Sequence, residues 1–158
     1  MARSAQPRVV PAVGEGRRGR QGHIAYLLRQ AHGAVRSALD ATLAEAGLTS
    51  PQFLVLNLLD TYPGASGAHL ARVAQLTPQT VNLIVRKLER ERLIARREHE
   101  THGRVLRMEL TEAGAQRLRQ CKQLADGVEA RILALLDRDT ETKVRSWLTA
   151  VAVELLRS

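Results

Sequence analysis

Two stretches of one design decide the fold: Leu48-Thr49-Ser50-Pro51-Gln52-Phe53 and Leu76-Thr77-Pro78-Gln79-Thr80-Val81. In each, a hydroxyl residue stands before proline and an apolar periodic run follows. The hydroxyl can cap an orphan backbone N–H, and proline suits the first helical position, so both read as helix starts. The first leads into a helix from Pro51 to about Tyr62, stopped by Pro63-Gly64. The second leads into a helix from Pro78 to about Glu91, with a short helix, Ser66 to Ala74, just before it. Helix, tight turn and polar-faced helix together make a helix-turn-helix. Residues 93–97 and 104–110 then read as paired strands, because Leu106, Met108 and Leu110 alternate with Arg107 and Glu109 at the period of a half-buried strand. Helix-turn-helix plus hairpin is a winged helix, an architecture that points to duplex DNA.

Working outward, a long helix is expected from about Gly22 to Ala46, with Gly47 as its left-handed cap. Thr111 starts another, which places Ala115, Leu118, Cys121, Val128, Ile132 and Leu135 on one face. A last helix, from about Arg138 to Leu156, is expected to bury Val144, Trp147, Leu148, Val151 and Leu155. These flanking helices carry more apolar face than a small winged helix needs. An interface with a second copy is the economical explanation, the alternative being that they cover one another in a monomer. The fold class is therefore mainly α with a small β-hairpin wing. Its parts are a basic tail at 1–20 expected to be disordered, then one domain at 21–158. In that domain the winged helix spans about 48–111 and dimerisation helices span about 22–46 and 112–157. The tail is either a solvated leader or an arm that touches DNA.

Composition agrees. Apolar residues make up 44% of the chain and aromatics 3%, so the core is aliphatic, as helices packed on helices allow. No apolar run approaches the roughly 20 residues of a membrane span, and no apolar segment follows the basic N-terminus as in a signal peptide, so a cytoplasmic protein is expected. The net charge of +8 is unevenly placed. Residues 1–20 hold five Arg and one Glu, and residues 69–110 hold nine basic and five acidic groups. Residues 21–68 and 111–158 are nearly neutral. Clustered positive charge is the footprint of a phosphate-binding face.

On the fourth helix Val81, Ile84, Val85 and Leu88 form the buried stripe, leaving Gln79, Thr80, Asn82, Arg86, Lys87 and Arg90 for other faces. With Thr77 at its start, this is the candidate DNA-reading set. Gln, Asn and Arg carry the donors and acceptors that read base edges, and they cluster near the helix start. Lys87 and Arg90, farther along, suit phosphates. On the hairpin, Arg104 follows Gly103 at the tip and suits a narrow minor groove. Arg96, Arg97 and Arg107 suit flanking phosphates, although Arg97 with Glu98 and Arg107 with Glu109 could be exposed pairs of little energetic weight.

The run from Leu48 through Leu118 resembles the MarR family of bacterial winged-helix regulators. The matching residues are Leu48 to Phe53, Leu70-Ala71, Leu76 to Val81, Val85, Leu88-Glu89, Leu93-Ile94, Arg97, Gly103-Arg104 and Leu110-Thr111-Glu112-Ala113-Gly114. The resemblance implies a homodimer with interleaved terminal helices and two winged helices on a palindromic site. Two positions depart from it: Arg92 stands where the family often has Gly, and His102 where it commonly has Asp. If residue 92 is left-handed, arginine there costs on the order of 1 kcal/mol. Members often sense a small molecule beside the first helix, where this chain offers Tyr26, Arg29 and His32. An arginine beside His and Tyr could hold an aromatic carboxylate, and structural hydrogen bonding at the dimer surface is the other reading.

His99 and His102, with His69 or Cys121, lack the spacing of a zinc site, so no metal or cofactor is expected. Cys121 falls on an apolar stripe and reads as a small buried hydrophobe. No catalytic constellation stands out, so an enzyme is not expected. The expected function is a homodimeric, sequence-specific DNA-binding repressor relieved by a small aromatic acid. The rivals are a ligand-independent or architectural DNA binder and a winged helix used for protein contact.

Overall fold

The computed structural model describes residues 10–98 and 106–157, with residues 97, 98 and 106 described by backbone alone. The chain forms two compact units, Met1–Ala38 and Leu39–Ser158.

The first unit holds a 3₁₀ turn, Gly16–Arg18, and most of helix α1 (Ile24–Leu43). Residues 10–22 thus carry hydrogen-bonded local structure where the sequence offered no periodicity. The Arg18 guanidinium donates to the Pro11 carbonyl (2.9 Å), and the Gln30 amide donates to the Arg18 carbonyl (3.0 Å). Helix α1 begins at Ile24, two residues later than expected.

The second unit opens with the end of α1, a 3₁₀ turn at Ala44–Ala46, and Gly47 in the left-handed conformation (φ 71°) that ends it. Helix α2 (Ser50–Thr61) follows. Its start differs from the sequence reading, since Thr49 is the cap and Ser50 is already helical. The Ser50 amide and hydroxyl both donate to one Asp40 carboxylate oxygen, each at 2.7 Å. Gln52, buried, accepts from the Thr49 amide at 2.9 Å. A carboxylate delivered by α1 thus does what the hydroxyl before proline was expected to do.

Helix α3 (Gly67–Ala74) is capped by Ser66, which accepts from the His69 amide at 3.2 Å. The turn after it places Gln75 at φ 54°, which aims the chain into α4 (Pro78–Arg90). The hairpin pairs β1 (Ile94–Glu98) with β2 (Leu106–Leu110) antiparallel, Ile94 facing Leu110 and Arg97 facing Arg107. Helix α5 (Glu112–Leu133) begins under Thr111, whose hydroxyl oxygen accepts from the Gly114 amide (3.0 Å) while its O–H donates to the Arg92 carbonyl (2.7 Å). A Cβ on Gly114 would fall 1.9 Å from the Leu93 carbonyl oxygen, so only glycine lets α5 cross the root of the hairpin this closely.

The core is aliphatic. Leu43, Leu56, Leu59, Leu70, Leu88 and Leu118 are fully buried, joined by the predicted α4 stripe of Val81, Ile84, Val85 and Leu88. Helix α6 (Arg138–Leu155) buries none of its residues. Trp147, Leu148 and Leu155, expected to be buried, are exposed, and Val144 and Val151 are half-buried. The apolar spacing is present as read, but among the described residues that face is covered only in part.

Candidate nucleic-acid interface

Helix α4 is built to show one face. Its buried stripe fixes its rotation against α2 and α3, and Thr77 fixes its first turn. The Thr77 hydroxyl accepts from the Thr80 amide (3.1 Å), and the two hydroxyls stand 2.8 Å apart. Thr77, in the expected DNA set, therefore also caps the helix, and the Thr80 hydroxyl of the same set pairs with the cap.

Gln79, Asn82, Arg86 and Arg90 are exposed. Asn82 leans over the start of α3, its side-chain oxygen 3.9 Å from where a Cβ on Gly67 would stand. It edges a recess of about 80 Å³ shared with Gly67, Val85, Arg96 and Met108. Lys87 is half-buried, with its ammonium 3.8 Å from the Glu91 carboxylate. A pair at that distance and exposure is weak, so Lys87 stays available to a phosphate.

The hairpin arginines divide. Arg96 is bound by the Glu89 carboxylate at 2.6 and 3.3 Å. This bidentate pair ties β1 to α4 and occupies the guanidinium that sequence alone assigned to phosphates. Arg107 is exposed, and its stem passes Gly64 (3.2 Å from a Cβ there). The backbone of Arg97 pairs opposite Arg107. The Arg97 side chain, Arg104, His99 and His102 lie outside the described residues.

Two features escaped the sequence reading. Leu83 is 69% exposed amid the polar face of α4; its position on a helical wheel would have shown this. Tyr62 and His69 meet in a tilted arrangement, with ring centroids 5.8 Å apart and planes at 33°, across the turn between α2 and α3; no local spacing signals that contact.

The expected ligand residues Tyr26, Arg29 and His32 stand exposed at three-residue steps along α1. Cys121 is fully buried, and burial pushes its thiol above the ordinary cysteine value, partly opposed by the Arg117 charge. Among the described residues, no three His, Cys, Asp or Glu side chains gather as a metal site. Among the same residues, no helix is long and apolar enough to cross a membrane.

The sequence profile of the MarR family matches residues 46–105, which begin at the end of the 3₁₀ turn after α1 and take in α2, α3, α4 and β1. An HTH-type transcriptional repressor of Mycobacterium tuberculosis is 34% identical over 125 residues, spanning 79% of this chain and 90% of the relative. The chain belongs to the MarR family. The M. tuberculosis MarR family protein solved with salicylic acid superposes with a TM-score of 0.69 at 32% identity, covering 84% of this chain and 98% of that one. The same protein solved with DNA gives 0.68 at 31% identity, covering 83% and 98%. In this MarR protein residue 92, where arginine stands in place of the family's common glycine, is left-handed at φ 57°. The cost, on the order of 1 kcal/mol, is borne at the junction of α4 and β1. There the Arg92 carbonyl accepts from Thr111 and its amide donates to the Glu89 carbonyl at 2.9 Å.

Proposed function

We propose that this MarR-family protein is a cytoplasmic transcriptional repressor that binds a palindromic duplex operator as a homodimer and lets go when a small aromatic acid binds. The observation that carries the reading is the division of α4 into a fully buried apolar stripe and an exposed face of Gln79, Asn82, Arg86 and Arg90. An α-helix fits the major groove, where such side chains read base edges. Gln79 and Asn82 read bases. Thr77 and Thr80 hold the helix start and meet the nearest backbone. Arg86, Lys87 and Arg90 neutralise phosphates, as do Arg97, Arg104 and Arg107 on the hairpin. The complexes of the M. tuberculosis relative with DNA and with salicylic acid support the reading.

Dimerisation follows from the uncovered apolar face of α6, and twofold symmetry sets half-sites about one helical turn apart. Tyr26, Arg29 and His32 hold the acid, with the guanidinium of Arg29 on the carboxylate. For release, the acid must bind the DNA-incompetent shape more tightly, because equal affinity for both shapes shifts nothing.

The test is titration of a labelled inverted-repeat duplex at several salt concentrations. Log affinity should fall with log salt at a slope of about −0.9 per phosphate neutralised. Asn82→Ala should weaken cognate binding by about 1–3 kcal/mol and relax specificity. Salicylate should displace the duplex from the unaltered protein and not from Arg29→Ala. Weak, salt-insensitive binding without sequence preference would leave protein contact as the role of the winged helix.

A further inference from the structure

Leu83 has no role in the reading above, yet it sits at the middle of the face on which that reading depends. It lies one turn after Gln79 and three residues before Arg86, and Arg90 lies one turn beyond Arg86. At helical spacing these four side chains form one stripe along α4. The opposite stripe, Val81, Ile84, Val85 and Leu88, is buried, so the helix has no rotational freedom to turn Leu83 inward. The leucine is 69% exposed and lines a shallow, open recess with Arg86, Glu89 and Arg90.

A single exposed leucine is ordinary on a protein surface. Here its neighbours give it a partner. Glu89 is held by Arg96, which leaves Arg86 and Arg90 to flank Leu83 with positive charge. A ligand covering this stripe must satisfy two guanidinium groups and present apolar surface between them. The major groove does both, because its walls are phosphates and its floor carries one apolar group, the C5-methyl of thymine.

We infer that Leu83 is a specificity-determining contact of the recognition helix, packing on the C5-methyl group of a thymine in each operator half-site. The inference rests on the DNA-binding reading above. It adds an apolar contact to the polar readout by Gln79 and Asn82, and it selects thymine over cytosine at a position that hydrogen bonding alone need not fix.

The experiment uses the full chain and duplexes that it enriches from a random-sequence library. Each thymine of the selected half-site is replaced in turn by deoxyuridine, symmetrically in both halves, which removes only the methyl group. The unaltered protein should lose roughly fourfold in affinity per methyl at one position, the loss expected for uncovering about one methyl-sized group. Leu83→Ala should bind the thymine and deoxyuridine duplexes equally at that position. It should bind the thymine duplex more weakly than the unaltered protein does. Methyl discrimination that persists undiminished in Leu83→Ala overturns the assignment, and so does its absence from both proteins. A change in oligomeric state caused by Leu83→Ala without DNA would assign the leucine to protein contact and also overturn it. Failure of the library to enrich any duplex would instead strike the DNA-binding reading itself.

Discussion

Helices α4 and α6 carry apolar stripes of similar kind and meet opposite fates. Helix α4 puts Val81, Ile84, Val85 and Leu88 into the core, whereas α6 buries no residue at all. The first stripe is answered by α2, α3 and the hairpin of the same chain, and the second is covered only in part, with Val144 and Val151 half-buried and Trp147 and Leu148 exposed. An amphipathic pattern therefore says that a face will be covered without saying by what. For α4 the cover is local and the helix is fixed in one rotation. For α6 the described residues leave the cover incomplete, and a second copy of the chain is the cover proposed above. Stability of the first region should be independent of protein concentration, and stability of the second should not.

The largest effect is expected from Leu88→Ala. Loss of a fully buried leucine costs about 2–5 kcal/mol, seen as a urea midpoint lower than that of the unaltered protein at the same protein concentration. Leu148→Glu puts the matching question to α6. It should leave far-ultraviolet circular dichroism near that of the unaltered chain and shift sedimentation from dimer to monomer. A Leu148→Glu protein that remains dimeric at micromolar concentration would break the comparison. The two helix caps sharpen it further. Thr77→Ala should cost about 0.5–2 kcal/mol of cooperative stability, because α4 cannot fray without opening the core. The corresponding cap of α6, Asp137, accepts from the Thr140 amide at 2.8 Å, and that hydrogen bond holds its carboxyl below the usual aspartate range. Its contribution is present above the ordinary value of about 3.9 and is lost as pH falls through the lower folded value. Protection of the Thr140 amide, its exchange rate compared with the intrinsic rate at the same pH, should therefore fall in acid, and in Asp137→Ala it should be low throughout. The smallest effect has the opposite sign. Arg92→Gly removes the left-handed strain at the end of α4, about 1–2 kcal/mol. It loses about 0.5–1 kcal/mol of that to the flexibility of glycine. A small rise in urea midpoint is expected.

Much of this was legible from residue order alone. The stripe of α4, the Thr77 and Thr111 caps and the left-handed Gly47 all depend on neighbours within a turn or two, so local pattern suffices. The departures come from longer reach. Ser50 was read as a cap because it precedes proline, but Asp40, ten residues upstream, takes its amide and hydroxyl. Arg96 was read as a phosphate contact because it is a hairpin cation, but Glu89 lies across the helix–strand junction and claims it. Leu83 was passed over because sorting a helix into buried apolar and exposed polar residues has no place for an exposed apolar one. The fate of α6 was not legible, since its apolar spacing predicts a covered face and no residue of the helix is buried among the described residues.

The crossing of Gly114 beneath Leu93 carries a mechanical consequence. The first turn of α5 meets the root of the hairpin without an intervening side chain, and the Thr111 hydroxyl fastens the same place to the Arg92 carbonyl. Such a joint has almost no slack. A tilt of α5 is handed to the wing as torque and is not absorbed by side-chain rearrangement. A rigid-body tilt of the long helix at this joint would carry the root of the hairpin with it. Widening the joint by softening its neighbours would blunt that transmission while leaving every DNA-facing residue unchanged.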